Sequence, residues 1–240
     1  RWTYKFEEAA RQGAAAALII HDTEGASYGW EVVRNSWSGP QFDLRAEDDP
    51  EPRLPAQGWI TGEVAKQLFA ESGLDLQEQY AAANRRGFQA VPLKAKVSFD
   101  LASTVTEKSS QNVIGYIPGS EAPEETVIYL AHWDHLGQHE GEGDTIYNGA
   151  VDNATGVAGI IEIAEKFAAA PPRRSVVFLA VTLEESGLLG SKYYVAQPAF
   201  PLEKTVAVVN LDAMSVAGRS RDVVVTGKGN SELEDILAPL

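Results

Sequence analysis

In "TGVAGIIEIAEKFAAAPP" the apolar residues fall at 157, 160, 161, 164, 167 and 168, the period of one helix face, and Pro171 with Pro172 stops the run. Short, nearly continuous apolar stretches surround that helix: "TVIYLA" before it, "SVVFLAVT" and "TVAVVNLD" after it. Between the last two, "LLGSKYYVAQ" reads as a second helix. Strands without a polar face, alternating with helices, predict an α/β fold: a mainly parallel, mixed sheet with helices on both faces. Upstream, "NVIGYIPGS" predicts a strand and turn, and "VSFDL" alternates in the manner of a half-buried strand.

The first ninety or so residues follow another pattern. "YKFEEAARQG" predicts a helix ending at Gly13, followed by the strand "AALII" and a polar turn over residues 21–25. A second strand and helix lie in "GWITGEVAKQLFAESG", with Thr61 as N-cap and Gly73 as stop. The acidic, proline-bearing stretch "FDLRAEDDPEPRLPAQ" between them reads as an exposed loop. The change of pattern sets a boundary near residue 92, giving regions 1–92 and 93–240. Both ends read as cuts: the chain starts at Arg1, and "SELEDILAPL" reads as the opening of an amphipathic helix.

Composition narrows the chemistry. A net charge of −14 argues against a nucleic-acid backbone as partner, which needs clustered Lys and Arg. No stretch approaches the roughly 20 apolar residues of a bilayer-spanning helix. With no cysteine in the chain, disulfides, zinc ribbons and thiol catalysis are excluded, so any metal must be held by His and carboxylates.

Those residue types sit where α/β sheets bind ligands, beyond the carboxyl ends of strands. His132 and Asp134 follow "TVIYLA", Glu184 and Glu185 follow "SVVFLAVTL", Asp212 closes "TVAVVNL", and Asp152 lies in "YNGAVDNATG" just before the helix. One His among so many carboxylates suits zinc or another divalent first-row ion, and more than three candidate ligands suggest two ions. Asp152, on a short loop between the other elements, is the candidate bridge between them, with a bridging hydroxide as nucleophile. Adjacent glutamates cannot both face one ion, so one should bind metal while the other acts as general base. Asp134 is placed to accept a hydrogen bond from the second ring nitrogen of His132.

Each residue alone has a simpler account. Two glutamates favour a helix N-terminus, Asp152 or Asn153 could simply cap the helix that follows, Asp212 could end a strand, and His132 could be a structural histidine. Their joint occurrence at one sheet edge outweighs these separate accounts. His135 has no assigned role beyond packing or hydrogen bonding near the site, His139 lies in the surface loop "GQHEGEGDT", and His21 is expected to cap a strand of the first region. Trp133, Tyr147, Tyr193 and Tyr194 read as core or wall, Tyr147 being near enough to Asp152 to line a pocket.

Four motifs in order, "HWDHLG", "GAVDNATG", "LEESGLLGS" and "NLDAM", resemble the M28 family of zinc aminopeptidases over residues 94 to 240. Residues 1–92, with "EEAARQGAAAALIIHD" and "GWITGEVAKQLFAESG", look like the later part of a protease-associated domain inserted in some members. The resemblance implies two Zn2+ ions: His132 and Asp212 on one, Asp152 bridging, Glu185 on the second, with Glu184 as general base and Asp134 orienting His132. It also implies a second terminal histidine late in the chain; since none follows Asp212, that ligand is expected beyond Leu240, and residues 1–240 alone are expected to hold fewer than two ions. The implied substrate is a peptide with a free N-terminus, and the implied location is outside the cell or in the periplasm. A carboxypeptidase or dipeptidase on the same scaffold, a single-zinc glutaminyl cyclase and a non-catalytic receptor-like protein are the alternatives; pairing of His132 with Asp212 argues against the cyclase.

Overall fold

The computed structural model describes residues 2–49, 51–219, 229 and 232–237. Two compact units emerge, Arg1–Gln111 with Ser186–Ala199, and Asn112–Glu185 with Phe200–Leu240. Among the described residues no helix is long and apolar enough to cross a membrane.

The first unit opens with helix α1 (Trp2–Arg11), then strand β1 (Ala16–Ile20), the short helices α2 (Thr23–Ala26) and α3 (Trp30–Ser36), strand β2 (Ala56–Ile60), and helices α4 (Gly62–Glu71) and α5 (Leu76–Ala83). β1 and β2 pair in parallel from Ala16↔Ala56 to Ile20↔Ile60. Thr61 caps α4 as expected, its hydroxyl accepting from the Val64 amide at 3.3 Å. α5 was not signalled by apolar period; its start is marked by Asp75, whose carboxylate accepts from the Glu78 amide at 2.9 Å. The expected loop between β1 and β2 is tied by ion pairs, Arg45 with Asp48 and Arg53 with Asp43 and Asp49. His21 is buried just past β1, stacked on Tyr28 with Nε2 3.1 Å from the Tyr28 carbonyl.

Between α5 and the next strand no helix or strand forms. This corrects the expectation for "VSFDL": Val97, Phe99 and Leu101 are exposed, Leu101 at 76%. Alternation alone does not make a strand when no neighbouring strand supplies hydrogen bonds and no core receives one face.

In the second unit, β3 (Val113–Ile117), β4 (Ala122–His132), the short β5 (Gly137–Gln138) and β6 (Ile146–Tyr147), α6 (Ala154–Ala169), β7 (Arg174–Val181) and β8 (Thr205–Asn210) follow in turn. Helix α7 (Leu189–Ala196), which belongs to the first unit, and the 3-10 turn Leu202–Lys204 fall between β7 and β8, and α8 (Leu233–Leu237) comes last. Of the expected C-terminal helix, Ser231 and residues 238–240 lie outside the described residues.

The sheet runs β3-β7-β4-β8, with β3 antiparallel to β7 and the other pairs parallel, so it is mixed and mainly parallel. β7 is central and buried on both faces. Val176 and Phe178 meet Ala131 of β4 and Ile160 of α6, supported by Val157, Ala164 and Phe167, while Val177, Leu179 and Val181 are buried on the opposite face. The register brings His132 level with Val181, and Leu211 continues β8 by donating to Leu130 O at 2.9 Å. Three carboxyl ends therefore reach one edge together.

Candidate metal centre

His132 is the last residue of β4 and only 2% exposed. Its Nδ1 lies 3.0 Å from the backbone carbonyl of Asp134, an oxygen that can only accept, so Nδ1 donates. Nε2 is thereby turned to the carboxylates: Asp152 Oδ1 at 3.0 Å, Asp212 Oδ1 at 3.4 Å and Glu184 Oε2 at 4.0 Å. Burial works to lower the pKa of this imidazole, but the Asp134 carbonyl and the charges of Glu184, Asp212 and Asp134 outweigh it and raise it. The same carboxylates would favour a cation placed among them.

Asp152 reaches the cluster from the loop before α6, and the residue after it does the capping. Asn153 is buried; its Oδ1 accepts from the Gly156 amide at 3.0 Å, the N-cap bond of α6, and from the Ala213 amide at 3.2 Å. Its Nδ2 donates to Leu211 O at 2.9 Å. Asn153 thus ties the Asp152 loop to both sides of Asp212. Gly156 permits this approach: a Cβ there would stand 2.5 Å from Leu211 O and 2.4 Å from Asn153 Oδ1. From the sequence Asp152 was the candidate bridge, with Asp152 or Asn153 as a simple cap the alternative; the structure gives the cap to Asn153 and leaves Asp152 free of that role.

Leu183, at a positive φ of 52°, turns the chain beyond β7 so that two successive amides face back toward β4. Asp134 receives both: Oδ1 accepts from Glu184 N at 3.1 Å and Oδ2 from Glu185 N at 3.3 Å. The expected side-chain bond from His132 to Asp134 is instead a main-chain one, the carboxylate standing 3.7 Å from Nδ1. With two amide donors in reach, the carboxylate satisfies them and the nearer carbonyl serves the ring. Burial, ahead of the charges of Glu185, Asp212 and Asp134, raises the pKa of Glu184, with His132 opposing.

The same loop contains His135, whose Nδ1 lies 2.7 Å from Glu185 Oε1. Trp133 and Tyr147 are exposed nearby, and Tyr147 sets its ring edge toward His135, with centroids 6.3 Å apart, and packs against His139 at 5.3 Å. Tyr194 is buried, as expected of a core residue.

Two groups of side chains could each hold an ion among the described residues: His132, Asp152 and Asp212, and His135, Asp152 and Glu185, their ligand atoms lying within 4.8 Å of one another. Asp152 belongs to both. Its Oδ1 is buried, stands 3.0 Å from Nε2 of His132 yet out of line for a hydrogen bond, and has no other hydrogen-bond partner. An orphaned carboxylate oxygen facing an imidazole lone pair is what two ligands of one cation present before it binds, and the His-carboxylate donor set suits zinc.

Known proteins resemble this chain in sequence. Mouse aminopeptidase NAALADL1 is 33% identical over 128 residues, 50% of this chain and 16% of its own length. A glutamate carboxypeptidase 2 homolog of Caenorhabditis elegans is 32% identical over 219 residues, 85% of this chain and 27% of its own. A probable zinc metalloprotease of Pyrenophora teres f. teres is 28% identical over 202 residues, 82% and 37% respectively. The chain therefore spans well under half the length of each of these relatives. The sequence profile of Peptidase family M28 matches residues 112–240, from the first strand of the sheet through the whole histidine and carboxylate cluster, and the chain belongs to that family.

Proposed function

We propose that this chain carries the dinuclear zinc centre of an aminopeptidase, with His132 and Asp212 on one ion, Asp152 bridging and Glu185 on the second. The observation that carries the reading is Asp152, shared by two ligand groups and holding an orphaned oxygen toward His132. Two ions so held would polarise the scissile carbonyl and acidify the attacking water. Glu184, next to the metal-binding glutamate and raised in pKa by burial, accepts the proton that water loses on attack. As the C–N bond breaks, it passes that proton to the departing amine. Asp134 keeps both glutamates in place through their amides.

The motif resemblance to zinc aminopeptidases and the name of the mouse relative support a substrate presenting a free α-amine. The name of the nematode relative supports a second reading, a carboxypeptidase on the same scaffold. That chemistry needs a cation for the C-terminal carboxylate. Arg173 and Arg174, at the opposite end of β7 from Glu184, are paired with Glu121 and Glu125. The test uses the zinc-loaded whole protein. Unblocked aminoacyl arylamides should be cleaved and their N-acetylated forms resisted; efficient release of a C-terminal residue from an N-blocked peptide would favour the carboxypeptidase. The motif resemblance also supports residues 1–92 as the later part of a protease-associated domain, and secretion or a periplasmic location, which cell fractionation checks.

A further inference from the structure

We propose that His135 is a positioning residue for the second ion: its Nδ1–H holds the Glu185 carboxylate in place, and the ring itself does not ligate. The inference rests on the metal-centre reading above. It separates two roles that the grouping of His135 with Asp152 and Glu185 leaves open.

Distance decides between them. Two atoms bound tetrahedrally to one zinc, each at about 2.0–2.2 Å, stand roughly 3.3 Å apart. His132 meets that spacing, with Nε2 at 3.0 Å from Asp152 and 3.4 Å from Asp212. His135 does not: its Nδ1 is 2.7 Å from Glu185 Oε1, the length of a charge-assisted hydrogen bond. Since the carboxylate oxygen accepts, Nδ1 carries the proton and offers no lone pair there.

The surroundings hold the ring to that task. Gly149, with φ +64°, brings the Asp152 loop against it, and a Cβ at that position would stand 3.0 Å from the His135 Cβ and 3.1 Å from Asp152 O. Tyr147 stands edge-to-face with it. Three of the four residues "HWDH" then divide the work: His132 faces one ion, Asp134 holds the amides of Glu184 and Glu185, and His135 holds the Glu185 side chain. One strand end thereby orients ligands contributed by a segment 50 residues away.

Zinc titration of the metal-free whole protein tests this, with the wild type, H135A, H135N and H135Q, each checked for folding by circular dichroism. Asn carries its amide N–H near the position of Nδ1, whereas Gln carries it near Nε2. H135A and H135Q should weaken one of two zinc equivalents by about 10–100-fold and leave the other unchanged, the usual effect of losing such a partner. H135N should recover most of the affinity, and X-ray absorption should count the same number of imidazoles around zinc in H135N as in the wild type. An H135N as weak as H135A, with one imidazole fewer, would show that His135 is a ligand and overturn the proposal. Unchanged binding of both equivalents in H135A would overturn it too. A wild type that binds no zinc, indistinguishable from D152A, would remove the metal-centre reading and this inference with it.

Discussion

At Glu184 burial and neighbouring negative charge act in the same direction, and both favour the protonated carboxyl in the metal-free fold. A group whose folded pKa is raised contributes stability that is fully present below its unfolded value, 4.5 for Glu, and is lost as pH rises through the folded value. Metal-free wild type should therefore lose stability relative to E184Q as pH rises across that window, measured by denaturant midpoints at a series of pH values. Zinc should cancel or reverse the difference, because a nearby dication favours the carboxylate. If the two metal-free proteins kept a constant gap, the environment assigned to Glu184 would be wrong. With zinc bound, the same substitution separates base from ligand. E184Q should retain the metal content of the wild type and lose about 10²–10⁴-fold in turnover, the usual contribution of a general base. Parental turnover with full zinc would assign the proton transfer elsewhere.

Elements divide by whether a strand neighbour or core receives their apolar face. Leu179, in the middle of β7 and 1% exposed, fills the side of the sheet away from Phe178. Leu179→Ala should cost about 2–5 kcal/mol in denaturant unfolding, the range for emptying a packed core position. Leu101→Ala, in the segment whose pattern resembled a strand, should stay within about 0.5 kcal/mol of the parent. A large loss there would mean that the stretch is buried in solution. This contrast shows how far local pattern carries. β4, β7, β8 and α6 were legible because each carries a continuous apolar run or a helical period in its own residues, although β8 itself stays largely exposed. "VSFDL" had the period of a strand but no partner, and α5 was not read from the sequence, its start being marked by the Asp75 cap in the structure.

On the scale of the molecule, the centre joins three parallel strand ends and the entry of α6 at one edge of the sheet. A ligand that binds only this arrangement stabilises the fold by mass action, about 2.7 kcal/mol at a hundred times its Kd. Zinc should accordingly raise the melting temperature of the whole protein. D152A should lose most of that increase, because both ligand groups share Asp152, whereas E185A should lose only part. Equal melting shifts in D152A and the wild type would place the stabilising ion elsewhere.

The order β4, α6, β7, α7 and β8, and the residues that stand at the strand ends, were determined by the sequence itself, because periodicity, caps and stops act within a few turns of chain. On that basis His132, Asp152, Glu184, Glu185 and Asp212 could be placed at one edge before any contact was known. What each side chain touches was decided only by tertiary structure. Asp134 gives its carbonyl to His132 and its carboxylate to two amides 50 and 51 residues away. Asn153 reaches Leu211 and Ala213 across 58 and 60 residues. His135, unassigned by any local pattern, finds Glu185 across 50. Such bonds depend on the register of non-adjacent segments, and their distances and angles change by whole ångströms with a one-residue shift in pairing, so no local period can carry them.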